Sequence, residues 1–281
     1  MKKLLFSLLL LVLAIPAWAQ DDERPPEVRF TFRGLRLING QSTETLPQGH
    51  LNFSVAHRFS PIDGVQNFFG MDGTSNFRLG LGYGLTDDLA VGVGRSRLGK
   101  RYDGWVKYKL LKQRYGGFPF TAALLLGGSI GTESLRPGQE DYFVFDHRLA
   151  YHSQLLLARK LGRLSLQLAP TLVHRNLVDY AAENNTLLAM GAGARWQFNS
   201  RFGLAVEYYY RLNPGTNPVE TYRNPLAISL DMETAQHRFQ LQFTNAFSLL
   251  ETGFISQTLS DPLAGQVRFG FNISRNFGMN R

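Results

Sequence analysis

Twelve charged residues share one phase of an alternating pattern. The bases are Arg58, Arg78, Lys107, Lys109, Arg148, Arg195, Arg211, Arg238 and Arg268, and the acids are Asp103, Glu207 and Asp231. On one enclosed wall, nine bases against three acids leave an excess of six. Such a wall raises the local anion concentration and favours anionic solutes. In the opposing arrangement the charges pair with one another and with the chain N-terminal to them.

Nucleophilic chemistry has one adjacent candidate, His152 with Ser153. Neighbours in a strand point to opposite faces, so these two cannot form a nucleophile–base pair. His147 shares a face with Ser153 but lies six residues away, too far along an extended strand. His50, His57, His174 and His237 have no partner at a meaningful spacing. Hydrolysis is therefore the third of three functional classes. Gly127-Gly128-Ser129-Ile130-Gly131 lacks the Lys-Ser/Thr end of a phosphate loop. Asp63, Asp72, Glu133, Glu140, Asp141 and Asp261 match no calcium-loop spacing. Cysteine is absent, which excludes disulfides, Cys-ligated metals and a thiol nucleophile. No cofactor or metal is expected.

The alternation carrying these charges defines twelve segments. They are Gly49–Phe59, Asn76–Leu85, Leu89–Arg95, Tyr102–Leu111, Phe118–Ile130, Phe143–Ala158, Leu164–Arg175, Leu187–Phe198, Phe202–Arg211, Leu226–Met232, Gln236–Ala246 and Gln266–Phe277. Many reach the ~9–11 residues that a tilted strand needs to cross a bilayer. Short turns at Thr86-Asp87-Asp88, Lys160 to Arg163 and Asn199-Ser200 fall on the periplasmic side and alternate with long outer loops, the longest being Phe247 to Gly265. The short Ser96 to Lys100 link is the exception. Aromatics gather near the strand ends, as in a membrane barrel's girdles. Phe59, Phe77, Tyr102, Phe143, Tyr208, Tyr210 and Phe269 form one set; Tyr83, Phe118, Phe120, Trp196, Phe198, Phe202 and Phe277 form the other. Pro170 implies a bulge or a locally broken ladder. The expected fold is all-β: a transmembrane, antiparallel, up-and-down β-barrel of about twelve strands.

Lys2 and Lys3, the apolar run Leu4 to Ile15 and Ala17-Trp18-Ala19 fit a cleaved signal peptide over residues 1–19. Removing its two lysines lowers the net charge from +8 to +6. Residues 20–48 form an N-terminal periplasmic arm with a turn signal at Ile38-Asn39-Gly40. The arm either plugs the barrel or lies at its periplasmic rim; an ordinary ordered arm is equally open. Residues 49–281 form the barrel, located in a bacterial outer membrane. Hydrophobic content of 44% and charged content of 19% exclude a disordered chain.

Expected partners are outer-membrane lipid and lipopolysaccharide, the barrel-assembly machinery and small solutes. Arg95, Arg97, Lys100 and Arg101 crowd one outer rim, where lipopolysaccharide phosphates would lie against them or water would solvate them. An exported chain with its bases phased into a lumen argues against nucleic acid. Two further functions stay open: a pore for small, anionic solutes, and a plugged barrel that docks a periplasmic or surface partner.

Several stretches resemble an uncharacterised outer-membrane β-barrel family of Bacteroidota, a domain of unknown function. They are Thr31-Phe32-Arg33-Gly34, Arg36-Leu37-Ile38-Asn39-Gly40, Ser42 to Leu46, His57-Arg58-Phe59, Phe69-Gly70-Met71-Asp72, Gly92-Val93-Gly94-Arg95-Ser96, and Tyr102-Asp103-Gly104 with Lys107-Tyr108-Lys109. The resemblance spans nearly the whole mature chain. It implies the fold and location but no activity and no functional residues.

Overall fold

A computed structural model describes residues 26–134, 143–234 and 236–278. The signal segment, the start of the arm, and Glu140 and Asp141 lie outside the described residues. Twelve antiparallel strands close into one barrel, each bonded to its neighbours in sequence and β1 to β12. They are β1 (His50–Pro61), β2 (Asn76–Gly84), β3 (Leu89–Ser96), β4 (Arg101–Leu111), β5 (Thr121–Gly131), β6 (Leu149–Leu161), β7 (Leu164–Arg175), β8 (Thr186–Gln197), β9 (Phe202–Arg211), β10 (Leu226–Glu233), β11 (His237–Thr244) and β12 (Arg268–Gly278). A four-residue helix, α1 (Glu251–Phe254), lies between the last two strands. No described helix is long and apolar enough to cross a membrane.

Alternation places apolar side chains outward and small or polar ones inward. In β2, Phe77, Leu79, Leu81 and Tyr83 are exposed, while Arg78, Gly80, Gly82 and Gly84 are buried. Closure leaves no unpaired sheet edge, as lipid requires. The closing pair runs from His50 opposite Gly278 to Arg58 opposite Gly270. A side-chain bond of 2.6 Å from Asn52 to Asn276 crosses this seam.

Three strands start two or more residues later than the sequence reading expects. The fifth strand starts at Thr121, because Pro119 cannot donate to a ladder. Phe118 and Phe120 pack together just before it, with centroids 4.7 Å apart. The sixth starts at Leu149: Phe145–Arg148 turn as a 3₁₀ helix, although Phe143, Phe145 and His147 alternate like a strand. The last starts at Arg268, two residues later than the alternation suggests. At Pro170 the ladder with β6 is interrupted between the Gln154–Thr171 and Leu157–Leu168 pairs, yet the register is kept. The proline breaks the ladder without a bulge.

Candidate functional site

Two segments occupy the barrel interior. The first is the arm. At the barrel end that the arm enters, its Val28 N–H donates to the Gln113 carbonyl (2.9 Å), and Glu27 pairs with Arg114. The chain then runs inward and reverses in a hairpin. Ser42 N–H donates to Leu35 O at 2.8 Å, and Leu37 N–H to Gly40 O at 2.9 Å. The turn lies level with the middle of β9. There the Glu207 carboxylate accepts the N–H groups of Ile38, Asn39 and Gly40 at 3.1–3.2 Å. A Cβ on residue 40 would stand 2.2 Å from the Tyr209 hydroxyl, so this approach requires glycine. Lys107 Nζ donates to Leu35 O (3.2 Å) and Ser42 O (2.9 Å), clamping both arms of the hairpin. Gln240 donates to Leu37 O at 2.7 Å, and Gln167 to Gln41 O at 2.9 Å. Phe32, Leu37 and Ile38 pack on the small inward residues Ala158, Ala205 and Ala227.

The second segment follows β11. Its length marked it as an outer loop. Instead Ala246, Leu249, Leu250, Phe254 and Ile255 fold back and are buried. Ala246, Phe254 and Ile255 join an apolar cluster with Trp105, Leu125, Leu156, Val173 and Tyr209 on the barrel wall. Phe254 stands edge-on to Tyr209, with centroids 5.4 Å apart. Thr252 and Ser129 hydroxyls meet at 3.2 Å.

The two segments touch. Arg36 of the arm reaches Glu251 of α1, with Nη1 to Oε1 at 2.8 Å and Nη2 to Oε2 at 3.5 Å. Arg36 also donates to the Asn39 carbonyl. Burial works against the Arg36 charge, but Glu251, with Asp103 and Glu207, outweighs it, so its proton is held above the ordinary value. Burial likewise opposes the Glu251 carboxylate. Arg36, then His152, outweigh that and hold Glu251 below the ordinary value.

The phased charges lie around this contact. Arg58 is buried and donates to Asn39 (2.8 Å), Asn272 and the His57 carbonyl. Arg78 pairs with Asp103 at 2.5 Å. Asp231 takes Arg195 at 2.9 Å and Arg238 at 2.7 Å. Lys109 stands 3.9 Å from Glu44. Arg268 lies over the Phe247 ring, and Arg211 over Tyr222. Arg148 sits apart, in the 3₁₀ turn at the mouth opposite the arm's entry, donating to Gly131 O and Glu133 O. Sequence reasoning missed Arg36, Glu44, Glu233 and Glu251. Adding that one base and three acids lowers the interior excess from six to four. Glu233, one residue beyond the expected tenth segment, accepts from Arg195 at 2.5 Å.

At the mouth opposite the arm's entry, a cavity of about 480 Å³ opens above α1. Arg101, Arg148, Arg175, Glu133, Asp179, Phe143, Thr252 and Gln257 line it.

A family model for the membrane-bound β-barrel domain (DUF5777) matches residues 32–277. The chain belongs to this β-barrel family. No curated protein matches it significantly in sequence. Among solved structures, an outer membrane channel from Pseudomonas putida F1 is 13% identical, with a TM-score of 0.50 over 84% of this chain and 98% of that one. A NanC porin is 10% identical, with a TM-score of 0.49 over 81% and 98%. Outer membrane phospholipase A from Escherichia coli is 12% identical, with a TM-score of 0.46 over 82% and 91%. Likeness at these identities concerns the fold alone. This member of the DUF5777 family is an outer-membrane β-barrel of porin-like fold.

The family member's histidines are dispersed. His152 is buried and both its ring nitrogens lack a hydrogen-bond partner. His57 stacks on Phe271 and His237 on Phe239. His174 meets the Thr186 hydroxyl at 2.8 Å, and His50 meets the Gln48 carbonyl. Among the described residues no histidine nitrogen bonds a serine hydroxyl, so no Ser–His nucleophile is assembled in this geometry.

Proposed function

We propose that the protein is a gated outer-membrane channel for small anionic solutes, seen in its closed state. The observation that carries this is the content of the barrel. Two segments entering from opposite ends fill the interior and meet at Arg36 and Glu251. Much of the arm's hold consists of discrete polar contacts to strand side chains, which water can replace when the segment leaves. The strand wall left behind carries the basic excess and would favour anions.

Single-channel recording in planar bilayers tests the reading. The full mature chain should be mostly silent, with brief steps. A chain lacking residues 26–46 should give long steps, and its reversal potential in a salt gradient should show anion selectivity. Because the segment after β11 also fills the barrel, a second variant shortens residues 247–257 as well. Silence from both variants, each shown to be folded, would sink the channel reading.

Glu207 and the apolar contacts of Phe32, Leu37 and Ile38 favour a second reading. There the arm never leaves, and the barrel is a scaffold that docks a partner through its periplasmic end or outer loops. That reading requires the intact chain to give no steps at all and a partner to bind it.

A further inference from the structure

We infer that the cavity above α1 is an outer binding site for a small solute bearing a carboxylate and hydroxyl groups, and that α1 couples its occupancy to the arm. The inference rests on the channel reading and extends it, naming the solute class and the trigger.

The cavity's chemistry is mixed. Arg175 is committed to Glu183 at 2.7 Å. Arg148 spends one nitrogen on two backbone carbonyls. Arg101 donates no hydrogen bond and forms no ion pair among the described residues, and it lines this polar cavity. A free guanidinium fork matches a carboxylate, which accepts two parallel N–H bonds. Glu133 and Asp179 line the same space and would repel a bare polyanion. They accept hydrogen bonds from hydroxyls, as does the Gln257 carbonyl. A carboxylated, hydroxyl-rich molecule uses both halves of this wall. A neutral sugar leaves Arg101 unmatched, and an inorganic anion leaves the acceptors unmatched.

The floor of the cavity supplies the coupling. Thr252 and Gly253 of α1 line the cavity, and the preceding residue, Glu251, holds Arg36 of the arm. A solute that draws Thr252 and Gln257 toward Arg101 competes with the Ser129–Thr252 hydroxyl contact. It thereby moves α1 and weakens the Glu251–Arg36 pair. Binding outside then favours an arm released on the periplasmic side, since a ligand shifts an equilibrium only through differential contacts with its two states.

The chain has no cysteine, so a single reporter thiol can be placed on the arm. Thr43 is fully buried there and its hydroxyl has no hydrogen-bond partner. In the full-length folded Thr43→Cys protein, maleimide labelling reports arm release. Glucuronate is the probe and glucose the control. Glucuronate should accelerate labelling by about fivefold or more, the low end of ordinary coupling, while glucose should not. Arg101→Gln should abolish glucuronate binding, measured by calorimetry, without changing ligand-free labelling. Glu251→Gln should label fast without glucuronate and gain nothing from it; Arg36→Gln tests the same contact if that variant does not fold. Absence of glucuronate binding, or binding unaffected by Arg101→Gln, would overturn the site. Binding that leaves labelling unchanged would overturn the coupling. These readouts need no ion flow, so a barrel that binds glucuronate yet stays silent in bilayers would fail as a channel without removing the site.

Discussion

Glu207 does more for the arm than any other single side chain, because one carboxylate accepts three consecutive backbone N–H groups. Hydrogen bonds to a charged group contribute roughly 1.5–3 kcal/mol each. Glu207→Gln should therefore weaken the arm by about 2 kcal/mol or more and raise thiol labelling at position 43 while the barrel stays folded. Gly40→Ala should expel the hairpin tip through its clash with Tyr209. Tyr209→Phe removes the hydroxyl responsible and should partly restore protection, although the ring carbon beneath it still stands 3.1 Å from the added Cβ. Acid should act at Arg36–Glu251. Glu251 is held below its ordinary value, so the contact contributes fully above pH 4.5 and is lost as pH falls through the lowered value. Labelling, corrected for the free thiol's own rate at each pH, should rise in that acid window. The sequence placed Glu207 on the polar phase through Leu204, Val206 and Tyr208, and marked Gly40 as part of a turn. The same phase turns Tyr209 inward, but no spacing joins β9 to the arm, so nothing in the sequence showed that this ring would meet Gly40.

At the scale of elements, the strands were legible because their two faces meet different surroundings. Lipid demands apolar side chains on every second residue, and a polar interior tolerates Arg, Gln and Gly on the others. The rule fails where alternation is accidental. Phe143, Phe145 and His147 have the spacing of a strand, but the Asp146 carbonyl accepts from the Asn176 side chain at 2.9 Å, and the segment turns instead. The segment after β11 was misplaced because length was used as the criterion for an outer loop. Its Phe247, Leu249, Leu250, Phe254 and Ile255 are too apolar for a solvated loop and were the overlooked signal. Phe254→Ala should loosen this segment: truncating a buried aromatic typically costs ~3–5 kcal/mol. Limited proteolysis should then cut the segment after β11, while circular dichroism still reports the barrel.

At the scale of the whole molecule, the ladder closes through strand pairing that includes no arm residue. Stacking of Phe59 on Phe269, with centroids 5.7 Å apart, and of His57 on Phe271 flanks the closing strands. A chain without residues 26–46 should therefore keep its β-sheet spectrum and a cooperative thermal transition, even though Lys107 and Glu207 lose their partners to water. Loss of the sheet in that variant would mean that the arm is needed for closure. The interior charge was the least legible feature, because the acids missing from the polar phase come from three unrelated stretches. Glu44 belongs to the arm itself, Glu233 to a strand end and Glu251 to the folded-back segment. No periodicity joins them.

The arm passes into β1 through Pro47 and Gly49, where the Gly49 N–H donates to Gly84 O at 2.9 Å. That junction is a tether only a few residues long. A hairpin that leaves the barrel stays within reach of its seat, at an effective concentration of order millimolar. Reclosure is therefore first order, independent of protein concentration, and needs no second molecule. Any periplasmic binder that captures the free hairpin must outcompete this local return, so micromolar affinity for the isolated segment would translate into only partial opening.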